Sequence, residues 1–139
     1  MNSDLFDLSG KTALVTGGAQ GLGRMITEGL LRAGAQVAFT SRKADICETA
    51  AKEMSALGSC IPLAADLSRL DAAVDLVARY REHCDRLDIL VNNAGKTWGG
   101  SIEDFPDKAW PNVMAVNVQI PFKLVQLLLP ELTASGMGA

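Results

Sequence analysis

The sequence predicts an α/β fold, a doubly wound parallel sheet of four strands that stops after the fourth strand and its long helix. Three observations predict it. Short β-rich runs alternate with longer runs of helical period. Four glycines cluster in "LVTGGAQGLGRM" (14–25), where the first strand hands over to a helix. The apolar stretches "LVTGG" and "ILVNN" have the unbroken character of strands buried on both faces. Strand and helix alternating at this rhythm give right-handed crossovers and a parallel sheet covered on both sides.

The strands are expected at 11–16 (KTALVT), 36–40 (QVAFT), 59–64 (SCIPLA) and 87–92 (LDILVN). In the first helix Leu22, Ile26, Gly29, Leu30 and Ala33 share one face, and in the second Ile46, Ala50, Met54 and Leu57 do. A third helix carries Leu70, Val74 and Val77 and opens at Ser68 with Asp71 three residues on, an N-cap pattern. Gly34 and Gly58 stand where helix C-termini place glycine. The last helix is expected over 108–134, with Pro111 in its first turn and Pro121 kinking it. Val113, Val116, Ile120, Leu124, Leu127 and Leu128 fall at helical spacing along it, and Trp110 is expected in the core.

At 139 residues the chain has the size of one domain, 1–139. A net charge of −3 and the lack of a basic stripe point away from nucleic acid and from anionic membrane. Cys47, Cys60 and Cys84 are odd in number and form neither a CxxC nor a Cys/His pattern, so no disulfide framework or metal site is expected. The start "MNSDLFDLSGKTALV" is acidic where a secretory leader would be basic and apolar. A cytoplasmic protein is expected. His83, the only histidine, reads as a solvated helix-terminal residue, and Trp98 either lines a substrate mouth or packs under a loop.

In an open parallel sheet the first strand ends at a crevice into which the next helix points its amides, a natural site for an anion. Gly17 would make the turn, Gly21 would remove a Cβ from the path of a pyrophosphate, and Gly23 would let the helix pack closely. The spacing, Thr16 to Gly23, is TGxxxGxG rather than GxGxxG. The second strand ends in "TSRK", with Ser41 where a ribose-binding carboxylate would stand and Arg42 beside it. That arrangement favours a 2′-phosphate, with a solvated basic turn as the lesser alternative. Asp66 in "AADLS" either accepts from an adenine amino group or caps a turn, and "NNAG" (92–95) either locks loops near a ligand or makes a simple Asx turn.

These motifs together, TGGAQGLG, ADL at 65–67, NNAG and Asn117 in "VMAVNVQIPF", resemble the short-chain dehydrogenase/reductase family from Gly10 to about Leu132. "LVNNAGKTWGGSIEDFPDKAWPNVMAVNV" is more narrowly similar to 3-oxoacyl-carrier-protein reductases of the rhamnolipid-associated branch. The resemblance implies a Rossmann-like fold with strand order 3-2-1-4 and hydride transfer from NADPH to a ketone, either a small molecule or an acyl-carrier-bound 3-oxoacyl thioester. It also implies a homo-oligomer in the full-length form. It places the pyrophosphate on Gly17, Gln20, Gly21, Leu22 and Gly23, although Gln20 departs from the Arg or Lys common there in NADP-preferring members. The 2′-phosphate falls near Ser41 and Arg42, adenine beside Asp66 and Leu67, and the ribose and nicotinamide side near Asn93, Ala94 and Gly95. Asn117 corresponds to the asparagine that holds a water linked to a catalytic lysine.

The family's proton donor is a tyrosine acidified by a lysine four residues later. Here the only tyrosine is Tyr80, followed by "REHC". The resemblance therefore implies that the serine and the Tyr/Lys pair belong after residue 139, that the given chain is the inactive cofactor half, and that the fourth strand is an apolar edge promoting self-association. The competing readings are a non-catalytic nucleotide-binding or interaction module and a Rossmann-like methyltransferase. The latter is disfavoured by Ser41 and Arg42 in place of an acidic ribose contact.

Overall fold

Four short parallel strands carry the structure: β1 (Thr12–Val15), β2 (Gln36–Phe39), β3 (Cys60–Pro62) and β4 (Ile89–Val91). This computed structural model describes residues 3–136 and 138; Met1 and Asn2 of the acidic start, and Met137 and Ala139 of the expected domain, lie outside the described residues. The sheet order is β3-β2-β1-β4, with Ala13 level with Val37 on one side and Ile89 on the other. Each strand is one to three residues shorter at its ends than its apolar run, because the flanking residues turn into loops.

Side chains alternate across the sheet and divide the core in two. Val15, Val37 and Phe39 pack with Leu31 of α1 (Gly21–Arg32) and Cys47 and Met54 of α2 (Ala44–Met54). Leu14 and Ala38 face the other way, toward Leu76 and Tyr80 of α3 (Leu70–Arg81) and Leu124 and Leu128 of α5 (Ile120–Ala134). The doubly wound sheet is thus covered on both faces. β1 is fully buried, but β4 is only half-buried along its length, so the expectation of two central strands holds for β1 alone. Among the described residues β4 pairs only with β1.

Two helix faces are rotated from their expected positions. In α1 the buried set is Gly23, Thr27 and Leu31, while Leu22 and Gly29 are exposed. In α3 it is Ala73, Leu76, Val77 and Tyr80, while Leu70 and Val74 are exposed. Small residues explain α1: a Cβ on Gly23 would collide with the Gly17 carbonyl and Asn93, and one on Gly18 would stand 2.6 Å from Thr27 Oγ1 and 2.7 Å from Phe39 Cβ. The helix lies where its smallest side chains let it approach β1 rather than where its largest would bury. Ser68 does not cap α3; the N-cap is Arg69, without a side-chain capping bond, and the Ser68 amide donates instead to Asp66. Gly34, with φ of +98°, follows α1 directly, but Gly58 lies beyond the α2 C-cap, Ser55, in the turn before β3.

The expected 108–134 helix is interrupted. An α-helical turn, α4 (Ala109–Met114), leads into a π-helical stretch at Ala115–Gln119 and then into α5. The widening lies immediately before Pro121, which has no amide to offer the carbonyl four residues earlier. Of the six apolar residues spaced along this run, Val116, Ile120, Leu124 and Leu128 are buried and Val113 and Leu127 are half-buried. Trp110, expected in the core, is 63% exposed, and Met114, Val118, Phe122, Val125 and Leu129 are exposed with it. Within the run Ala109–Ala134 an 18-residue window reaches a mean hydropathy of 1.4, and the run has the length of a bilayer crossing. Its inner side nevertheless forms a layer of the fold, because Arg81 of α3 pairs with buried Glu131 and donates to the Leu127 carbonyl at 3.0 Å.

At the end of the sheet remote from the glycines, Asp88 joins the start of β4 to β1. Its carboxylate accepts the Thr12 amide at 2.9 Å and the Thr12 hydroxyl at 3.3 Å, with Arg86 and Lys11 beside it. Burial alone would raise its pKa; Arg86, the Thr12 amide and the charge of Lys11 outweigh burial and hold it below the usual carboxylate value. Because the folded pKa is depressed, the stabilisation is present above the unfolded carboxylate value near 3.8 and is lost as pH falls through the folded pKa. Asp88→Ala should cost about 2 kcal/mol at pH 7 and flatten the acid limb of stability, measured by urea unfolding between pH 7 and pH 3. In the same assay at pH 7, Gly23→Ala should cost about 3 kcal/mol by overpacking against the Gly17 carbonyl.

Candidate functional site

A cleft of ≈ 600 Å³ opens at the C-terminal ends of the strands, where the β1–α1 loop meets the segments that follow β2, β3 and β4. Such a crevice, outside the carboxyl ends of a parallel sheet where the chain switches direction, is where open α/β sheets bind ligands. Gly17, Gln20, Ser41, Arg42, Asp66, Leu67, Asn93, Ala94 and Gly95 line it, so most of the residues named from sequence converge there from four separate loops. Gly21, Leu22, Gly23 and Asn117 are not part of its wall.

Hydrogen bonds at the base of the cleft hold the β1 loop to the turn after β4. Thr16 Oγ1 accepts the amides of Asn93 (3.1 Å) and Ala94 (3.0 Å) and donates to the Val91 carbonyl. Asn93 Nδ2 donates in return to the carbonyls of Thr16 (3.0 Å) and Gly17 (3.3 Å). On the β2 side, Thr40 Oγ1 accepts the Gly17 amide at 3.0 Å and the Thr40 carbonyl accepts the Gly18 amide at 2.9 Å. Sequence reasoning passed over Thr16 and Thr40 as binding elements. Thr16 opens the TGxxxGxG motif, so its signal was present; Thr40 carried none.

The glycines divide their tasks. Gly17, with φ of +67°, makes the turn, and its amide is turned inward to Thr40. Gly23 faces the protein interior and is a packing residue. Gly21, with φ of +54°, has nothing within 4 Å of the position a Cβ would take. Gln20, the N-cap of α1, makes no side-chain capping bond, which leaves the first-turn amides and the helix dipole available to an anion. An open glycine beside an uncapped helix N-terminus suits the close approach of a diphosphate. Leu22, 67% exposed, lies on the outer side of the same turn.

Of the cleft's charged side chains, Arg42 stands at the end of β2 and Asp66 at the end of β3. The Asp66 carboxylate accepts the Ser68 amide at 3.1 Å, so the turn-capping reading holds, and the residue also lines the cleft. The Ser68 amide and hydroxyl, then the charges of Arg42 and Arg69, hold its pKa below the usual value. The third charged residue is Lys96, which sequence reasoning did not single out; Ala19, Thr40, Ala65, Ser68, Thr97 and Val116 complete the wall.

Asn117 sits in the π-helical stretch, and both ends of its amide engage one neighbour. Its Oδ1 accepts the Lys96 amide at 2.9 Å and its Nδ2 donates to the Lys96 carbonyl at 2.7 Å. In this structure it is a positioning residue for the segment after NNAG. Tyr80 is fully buried in α3, donates to the Arg86 carbonyl at 2.6 Å, and burial pushes its pKa well up. It does not line the cleft. Trp98 is half-buried with the Lys108 ammonium 5.8 Å from its ring centroid, and His83 is exposed as expected. Neither lines the cleft.

The geometry has counterparts among known proteins. The model of the short chain dehydrogenase family matches residues 11–139. The rhamnolipids biosynthesis 3-oxoacyl-[acyl-carrier-protein] reductase of Pseudomonas aeruginosa is 47% identical over 131 residues, covering 94% of this chain and 51% of that protein. Gluconate 5-dehydrogenase of Gluconobacter oxydans is 36% identical, covering 97% of this chain and 53% of that protein. The solved RhlG/NADP active-site complex of P. aeruginosa superposes with a TM-score of 0.90 at 47% identity, over 94% of this chain and 51% of that one. The chain therefore spans about half the length of the relatives it matches. With a parallel sheet in the order β3-β2-β1-β4, a glycine turn locked to NNAG and a family match from Lys11 to the last residue, the chain belongs to the short chain dehydrogenase family of oxidoreductases.

Proposed function

We propose that this chain is the cofactor-binding half of an NADP-dependent reductase that passes hydride to the ketone of a 3-oxoacyl thioester, free or on an acyl carrier, giving the 3-hydroxyacyl form. The observation that carries the cofactor reading is Arg42 in the cleft wall after β2, next to Ser41, with the cleft's one carboxylate, Asp66, in the segment after β3 and bonded to Ser68. A cation without a carboxylate at that strand end suits a ribose 2′-phosphate and disfavours NAD. The 47% identity to a 3-oxoacyl-[acyl-carrier-protein] reductase supports the substrate class.

In this reading the amides that follow Gln20 hold the diphosphate, with Gly21 giving room and Leu22 covering the turn. Ser41 and Arg42 hold the 2′-phosphate, Asp66 and Leu67 border adenine, and Asn93, Ala94 and Gly95 support the ribose toward the nicotinamide end. NADPH, when bound, supplies the hydride. Asn117 fixes the Lys96 backbone and with it the floor beneath the reacting end. Tyr80, locked inside α3, is no proton donor, so the donor is assigned to a further part of a longer polypeptide that also forms the homo-oligomer. A second reading arises from the same tyrosine: a module that binds the dinucleotide without turnover.

Titration should show NADPH binding at least tenfold tighter than NADH, a difference of about 1.4 kcal/mol, with Arg42→Gln bringing the two within about threefold. Equal affinity for both in the unsubstituted chain would refute the NADP assignment. Intact mass of the protein from its native source separates the two readings. A mass about twice 14.7 kDa, with NADPH oxidation on a 3-oxoacyl thioester, supports the reductase; a mass of 14.7 kDa without turnover selects the binding module.

A further inference from the structure

The cleft wall carries three charged side chains, Arg42, Asp66 and Lys96, and they are not equivalent. Asp66 follows β3 across the cleft mouth from Arg42, whose charge helps to hold that carboxylate ionised after its bonds to Ser68. Lys96 stands on the other side of β1, one residue past NNAG on the segment that leaves β4. Among the described residues its ammonium has no carboxylate partner within ion-pair distance. Its backbone is held at both the amide and the carbonyl by Asn117, so the stem starts from a fixed point although the ammonium can move.

That fixed point lies beside the glycine turn. β4 is the direct neighbour of β1, about 4.8 Å away by sheet geometry, and a Cβ on Gly17 would come 3.1 Å from Asn93 Nδ2 and 3.3 Å from Ala94 Cα. A lysine carries its charge on a four-carbon stem with three rotatable donors and binds phosphate as a mobile point charge. β1 and its turn thus separate two cations, Arg42 following β2 and Lys96 following β4.

We infer that Lys96 is a second anion contact of the cleft, one that engages the 5′-diphosphate of a bound nucleotide over the glycine turn while Arg42 engages the 2′-phosphate. The inference rests on the proposed dinucleotide site and adds to it a division of labour between two cations. Each phosphate group then has its own reader, and the two readers can be removed separately.

Calorimetric titration of the full chain with ADP, adenosine 2′-monophosphate and NADPH tests this, using Lys96→Gln, Lys96→Arg and Arg42→Gln with folding checked by circular dichroism. Lys96→Gln should weaken ADP and NADPH on the order of tenfold and leave adenosine 2′-monophosphate unchanged, while Lys96→Arg restores most of the loss. Arg42→Gln should show the converse, weakening adenosine 2′-monophosphate and NADPH but not ADP. The Lys96→Gln loss should also shrink as salt is raised from low ionic strength, as expected for a solvent-reached charge contact. Unchanged ADP and NADPH affinity in a folded Lys96→Gln variant would overturn this inference alone. Failure of the unsubstituted chain to bind any of the three ligands would overturn both it and the dinucleotide site.

Discussion

The exchange of hydrogen bonds between Thr16 and the Asn93–Ala94 turn is the constraint on which the rest of the cleft depends. Two parallel strands, β1 and β4, would otherwise end in loops free to diverge. One hydroxyl takes two amides from the neighbouring loop, and one carboxamide returns two bonds to the backbone of the glycine turn. Because this lattice uses up the inward-facing polar groups, the turn can be built from glycines without becoming floppy. Gly23 then sets how closely α1 approaches, and the helix N-terminus is delivered to the mouth of the cleft with its first amides uncapped by any side chain.

The two ends of the sheet are treated differently. At the glycine end the polar groups of the backbone are tied loop to loop and the charges are left on the wall, where a ligand can reach them. At the opposite end Asp88 is buried and surrounded by Thr12, Arg86 and Lys11, so its charge is compensated within the fold. A buried carboxylate persists only with such partners. The cleft's Asp66 carboxylate, by contrast, is exposed and shares its field with Arg42 and Arg69. Stability and binding thus draw on separate charge clusters at opposite ends of the strands.

The long C-terminal helical run links these functions. Glu131 and Leu127 fasten α5 to Arg81 of α3, while the π-helical stretch presents Asn117 to the Lys96 backbone. A regular helix would carry different residues to that position, since the wider π-helical turn rotates the later residues about the helix axis. The helix that closes one layer of the fold therefore also shapes the cleft's edge.

Much of this was open to reading in the residues. The alternation of strand and helix, the strand order through the family resemblance, and the meeting of Gly17, Arg42, Asp66 and Asn93 in one crevice all derive from patterns local in sequence: periodicity, turn glycines and the chemistry of strand ends. The features that could not be read there depended on contacts between distant segments. Which face of α1 turns inward was set by the clash a side chain at Gly23 would make with Gly17 and Asn93, not by where Leu22 falls in the helical period. Trp110 is exposed, with only an edge contact to the Phe105 ring among the aromatic residues described, and no local pattern carries that information. The roles of Thr40 and Asp88 arise from pairings across 23 and 76 residues of sequence separation, and that of Lys96 in the cleft wall from the absence of a carboxylate partner among the described residues. Local sequence specifies the elements and the chemistry at their ends; packing density and the partners available to buried polar groups then determine which side chains face the ligand and which hold the scaffold.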